Sequence, residues 1–169
     1  MRKFIVLLFA FFACSLVVNG QQTPLTVNIS SASGNVGEQV CLELTVDDFE
    51  KLNSMQFVIR FDPSVIAYDT ILLANSGINQ SGGAISIGDF NTDLADQGFV
   101  NLVWIDFGAT GITLVDGDTL MTMCFDIVGE PCDESDIVIV STADIEIEIG
   151  KIDCDTGYEY YLELSLIHI

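Results

Sequence analysis

Asp89, Asn91 and Asp93 alternate in "GDFNTDLADQG" as the first oxygen donors of a calcium loop do. The rest of such a loop is missing. Leu94 stands where the turn glycine belongs, and the twelfth position is Val100 instead of a bidentate glutamate. An EF-hand-type site is therefore not expected. These three are weak candidates for incidental calcium, no cofactor is expected, and a plain acidic turn is the simpler reading. Catalysis is equally short of parts. The one histidine, His168, lies in the last six residues, so a Ser-His-Asp or Cys-His pair has no base to rely on. Glycoside hydrolysis needs two placed carboxylates, but among 25 acidic residues some pair always exists and carries no information. The glycine-rich stretches "GNVGE" and "GATG" lie between strands and open onto no helix, so neither cradles a phosphate. No enzyme is expected.

Cys41, Cys124, Cys132 and Cys154 remain beyond the leader, an even number with three possible pairings. Cys41 and Cys124 fall on the outward faces of two long alternating strands and can meet across them. Cys132 and Cys154 flank the last two strands, so the favoured pairing is 41–124 with 132–154. Zinc would want closer CxxC-type spacing. Trp104, Tyr158 and Tyr160 form a second candidate set. Planar aromatics on a sandwich can bind polysaccharide, and Tyr158 and Tyr160 share one face if "YEYY" is extended.

The elements that position these residues are strands. "QVCLELTV" alternates, with Val40, Leu42, Leu44 and Val46 on one face. "MQFVIRF" puts Met55, Phe57, Ile59 and Phe61 inward, and Gln56, Val58 and Arg60 outward. Asp62-Pro63 ends that strand, since proline has no N–H for the ladder. "VIAYDTILL" and "AISIGDF" follow. "FVNLVWIDF" is apolar on both faces, which leaves the orientation of Trp104 open. "TLMTMCFDIVG" turns Met121, Met123, Phe125 and Ile127 inward, and "DIVIVSTADIEIEIG" supplies two more strands. About nine strands and no convincing helix predict an all-β, two-sheet β-sandwich with jelly-roll topology.

The chain opens with Arg2 and Lys3, then an apolar run from Phe4 to Val18, then small residues before Gln21. This pattern predicts a signal peptide over residues 1–20, too short in its apolar part for a membrane span. Secretion is expected, with no membrane insertion after cleavage. Only Lys51, Arg60 and Lys151 are basic beyond it, against all 25 acids, a net charge of 3 − 25 = −22. Such a surface repels nucleic acid and anionic membranes. At the other end, the codons that "LSLIHI" can be written with resemble a sequencing adapter. Residues 164–169 are thus expected to be an artefact, with 156–163 the start of a linker or next segment. The alternative is a short apolar terminal strand.

Three stretches in order, "NVGEQVCLELTVDDF", "LNSMQFVIRFDPSVI" and "FGATGITLVDGDTLMTMCFDIVG", resemble cohesin domains, and the resemblance runs through residues 25–149 of a domain bounded at 21–155. The resemblance implies a nine-stranded jelly roll shaped like a carbohydrate-binding module. It also implies a non-catalytic module that attaches a protein partner, possibly dockerin-like, in a bacterial cellulosome or in a surface protein of adhesive or assembly function. The family's contact face includes the third, fifth and sixth strands, which points to Gln56, Val58, Arg60, Ser86, Gly88 and Asn101. The cysteines depart from the cellulosomal pattern and favour the surface-protein branch. Polysaccharide binding through Trp104, Tyr158 and Tyr160 is the alternative.

Overall fold

The computed structural model describes residues 24–73, 85, 89–108 and 110–152, together with the backbone of 159–161 and 164–168. The leader over 1–20, Ser86, Gly88, Cys154 and Tyr158 lie outside the described residues, as does the side chain of Tyr160.

Apolar alternation builds two facing sheets. The first has the order β11-β1-β2-β7-β4, from β1 (Leu25–Ile29), β2 (Gln39–Asp47), β4 (Ile66–Leu72), β7 (Asp118–Ile127) and β11 (Leu164–His168). The second has the order β10-β9-β3-β6-β5, from β3 (Leu52–Arg60), β5 (Phe90–Asn91), β6 (Phe99–Ile105), β9 (Glu148–Ile152) and β10 (Glu159–Tyr161). The short β8 (Val138–Val140) also pairs with β3. Nine strands have formed by Ile152, as the patterning predicts, and the described pairings are antiparallel except β1 with β11. That last pairing runs Leu25↔Leu164 to Ile29↔His168, so the backbone of the adapter-like segment lies at a sheet edge. Ala95–Gln97 forms a short 3-10 turn between β5 and β6.

The core lies between the sheets. Leu42, Leu44 and Val46 of β2, Met55, Phe57 and Ile59 of β3, and Met121, Met123 and Phe125 of β7 are all buried in it. Phe61 and Tyr68 both meet Phe125 edge-on, with ring centroids 5.1 and 6.4 Å apart. Trp104 is also core, 1 % exposed and 6.4 Å from Phe49. The inward side of β6 is therefore Val100, Leu102 and Trp104.

The corner after β3 is a closed hydrogen-bonded turn. The Asp62 carboxylate accepts the Ser64 amide (2.9 Å) and hydroxyl (2.6 Å), while its carbonyl accepts the amides of Val65 and Ile66. Those two bonds hold the carboxyl below its ordinary range, the hydroxyl contributing most. Pro63 brings no donor, and the chain crosses from the second sheet to β4 of the first. Gly98 at φ 85 packs against this corner, where its carbonyl accepts the Phe61 amide at 3.0 Å.

Cys41 and Cys124 are register partners on β2 and β7 and form a disulfide, on the outer face of the first sheet. Cys132 is a free, exposed thiol at φ 78 in the Glu130–Asp133 turn. This turn adjoins the far end of β3, where Gly129 bonds Val65 and Ser135 bonds Asp62. Cys154, its expected partner, lies outside the described residues.

Candidate binding face

The two outer faces differ in chemistry. On the first sheet, Asn28, Gln39, Glu43, Thr45, Asp47, Thr122 and Asp126 surround the disulfide. Neighbours there satisfy one another, as in Asn28 to Asp47 and Gln39 to Asp69, both at 2.9 Å. The second sheet presents Phe99, Asn101, Val103 and Ile105 from β6 at period two. Phe107 continues that spacing just beyond the strand. Val103 is 45 % exposed, Ile105 49 % and Phe107 88 %. Three solvent-exposed apolar side chains thus follow at alternate positions, Val103 and Ile105 on the strand and Phe107 in the turn after it.

Beside this stripe runs the outward side of β3. Ser54 pairs with Ile105, Gln56 with Val103, Val58 with Asn101, and Arg60 with Phe99. On the other flank Gln56 pairs with Glu148 of β9, and Val58 and Arg60 pair with Val140 and Val138 of β8. β8 and β9 thus occupy successive halves of one β3 edge. The Gln56 amide donates to the Glu146 carbonyl at 3.1 Å, which turns its side chain toward β9. A shallow depression of about 300 Å³ lies between the strands, lined by Ser54, Gln56, Val103, Ile105 and Glu148 among others.

Of the residues expected from sequence, Gln56, Arg60 and Asn101 do share this face. Val58 needs correction: it stands on the outer side, yet is only 1 % exposed. Its strand is central, so Asn101 and Val140 flank it directly on both sides and cover it. Val58 supports the face from beneath and is not a contact. Trp104 is corrected as well, since a fully buried indole cannot stack on a sugar. Sequence reasoning missed Val103, Ile105 and Phe107, although the two-sided apolarity of "FVNLVWIDF" held the signal.

Asp89 precedes β5, Asn91 ends it, and Asp93 lies in the turn that follows, its amide donating to the Asn91 side chain at 2.9 Å. Among the described residues no three histidine, cysteine or carboxylate side chains gather as a metal site.

The Cohesin domain family model matches residues 25–127. The chain belongs to the cohesin domain family. Solved cohesins superpose over most of its length. The sixth cohesin of scaffoldin B from Acetivibrio cellulolyticus, in complex with a Cel5 dockerin, is 18 % identical with a TM-score of 0.61, covering 86 % of this chain and 98 % of that one. The OlpC cohesin from Clostridium thermocellum, in a type I cohesin-dockerin complex, is 15 % identical at TM-score 0.63, covering 85 % and 89 %. A non-cellulosomal cohesin from the archaeon Archaeoglobus fulgidus is 17 % identical at TM-score 0.60, covering 86 % and 87 %. At such identities the likeness is one of fold. No curated protein matches the chain. Membership in this family makes the chain a protein-binding module of the cohesin kind.

Proposed function

We propose that this chain is a secreted, non-catalytic cohesin module that holds a dockerin-like protein partner on the outer face of its second sheet, at the surface of a bacterium. The stripe of Val103, Ile105 and Phe107 carries this reading. Exposed apolar surface costs free energy in water, and burial against a partner recovers about 25 cal/mol per Å². On the outer face of the first sheet, Leu72 is the one comparably exposed large apolar side chain among the described strand residues, so that face offers less gain. Gln56, Arg60, Asn101 and Glu148 supply a polar rim around the apolar centre, the arrangement usual in protein interfaces. Secretion is supported by the leader pattern of residues 1–20 and by the Cys41–Cys124 disulfide, which suits an oxidising compartment.

The test is display of every dockerin encoded in the same genome, probed with the purified chain. Binding by one of them that is lost in Val103→Asp with Ile105→Asp, and kept in Thr122→Asp on the first sheet, supports the proposal. Loss with Thr122→Asp alone would place the interface on the other face and overturn it.

A further inference from the structure

The loop that leaves β6 is tightly built around one exposed side chain. Asp106 begins it by donating its amide to the Asn53 carbonyl at 2.6 Å. Ile112 ends it by exchanging two backbone hydrogen bonds with Leu52, at 2.7 and 2.9 Å. Both ends are thereby clamped to consecutive residues of β3. Inside the loop, the buried Asp106 carboxylate accepts the Gly108 amide on one oxygen at 2.9 Å. Its other oxygen accepts the amides of Thr110 and Gly111 at 3.2 Å and, more weakly, the Thr110 hydroxyl at 3.4 Å. Gly111, at φ 70, passes so close to Lys51 that a Cβ there would lie 2.8 Å from its carbonyl oxygen. Phe107 stands out of this frame with 88 % of its surface in solvent.

A flexible loop could fold its phenylalanine back against its own chain. This one is fixed by its own carboxylate and by β3, so the ring is held outward, and little ordering cost remains when a partner takes it. Charge defines that partner further. Beyond the leader the chain carries 25 acidic residues against three basic ones, and on this face Glu148 stands exposed beside the stripe, with Arg60 at the far end of β3. An acidic partner would be repelled on approach, and a basic one drawn in.

We propose that Phe107 is the anchor of the docking face, that Asp106 is its positioning residue, and that the partner is a protein offering an apolar cleft rimmed by lysine or arginine. This rests on the binding face proposed above. The probe is an amphipathic Leu/Lys helix of about 20 residues, with a Leu/Glu helix as counterpart. Each is titrated into the isotope-labelled full chain and followed by amide NMR. The expected shifts centre on Val103, Ile105, Phe107 and Gly108 for the Leu/Lys helix, and Phe107→Ala weakens its binding by about 10-fold. Asp106→Asn is expected to weaken it too, and to speed hydrogen exchange at Gly108, Thr110 and Gly111. In the double variant, Asp106→Asn adds nothing to Phe107→Ala, because one acts through the other; an additive loss would reduce Asp106 to general stability and refute the positioning role. Shifts spread over the acidic first sheet, or unchanged binding by Phe107→Ala, would overturn the anchor. Equal binding of the Leu/Glu helix would overturn the basic rim. A dockerin lost with Val103→Asp and Ile105→Asp but kept with Phe107→Ala sinks this inference alone, leaving the binding face standing.

Discussion

Removing the Cys41–Cys124 disulfide should cost this domain a large share of its stability. The bridge joins residues 83 apart in sequence, so in the unfolded chain it closes most of the domain into one loop. The loop-entropy relation for that length gives about 4.5 kcal/mol at 25 °C. For a domain near 140 residues each kcal/mol moves the midpoint by roughly 2–4 °C, so Cys41→Ala with Cys124→Ala should melt about 10–15 °C lower. Packing adds little to this figure, because Cys41 is exposed and only Cys124 is buried. Thermal melts followed by circular dichroism, on both proteins with Cys132 unchanged, read the effect directly. Sheet pairing of β2 with β7 does not depend on the bond, so the variant is expected to fold and to keep its binding face. A fall of less than about 4 °C would refute the reasoning, since the unfolded chain would then be constrained by something other than the bridge.

Three further outcomes follow from the packing. Trp104→Ala should destabilise by about 3–5 kcal/mol in denaturant titration, as expected for a fully buried large aromatic, and the loss should arise without any effect specific to sugar binding. Gly98→Ala should be worse than an ordinary surface change, by about 2 kcal/mol or more in the same assay, because the left-handed backbone and a clash with the Phe61 carbonyl act together. Ser64→Ala should raise the Asp62 pKa toward its ordinary value in a carboxyl NMR titration. Because the folded pKa is depressed, the contribution of Asp62 is present above its unfolded pKa and disappears as pH falls through the folded one. Acid sensitivity near that corner should therefore lessen in the variant.

Much of the architecture could be read from single-strand alternation. β2, β3 and β7 each have one apolar face and one mixed face, so period two assigns their inward residues. The Asp62-Pro63 corner is legible for a similar reason: a residue without an N–H must end the ladder, and the Asp62 and Ser64 side chains close the turn locally. β6 was harder. One apolar face of "FVNLVWIDF" belongs to the core and the other to solvent, and periodicity alone cannot rank two apolar faces. Flanking the last strands does not say which end of the β3 edge the Cys132 turn lies beside. β8 and β9 share that edge in successive halves, a tertiary fact. Alternation puts Val58 on the outer side, yet its cover comes from strands distant in sequence. The Asp106 frame is also invisible in sequence, because an aspartate before Phe-Gly reads as an ordinary turn until its four donors converge.

The most direct measurement of the central claim is a hydrogen-exchange footprint of the chain alone and saturated with a dockerin selected in the display experiment. The account predicts slowed exchange in β3, β6 and the Asp106–Ile112 loop, with β1, β2 and β7 unchanged. Protection centred on β2 and β7 around the disulfide, with β6 and its loop unaltered, would contradict it.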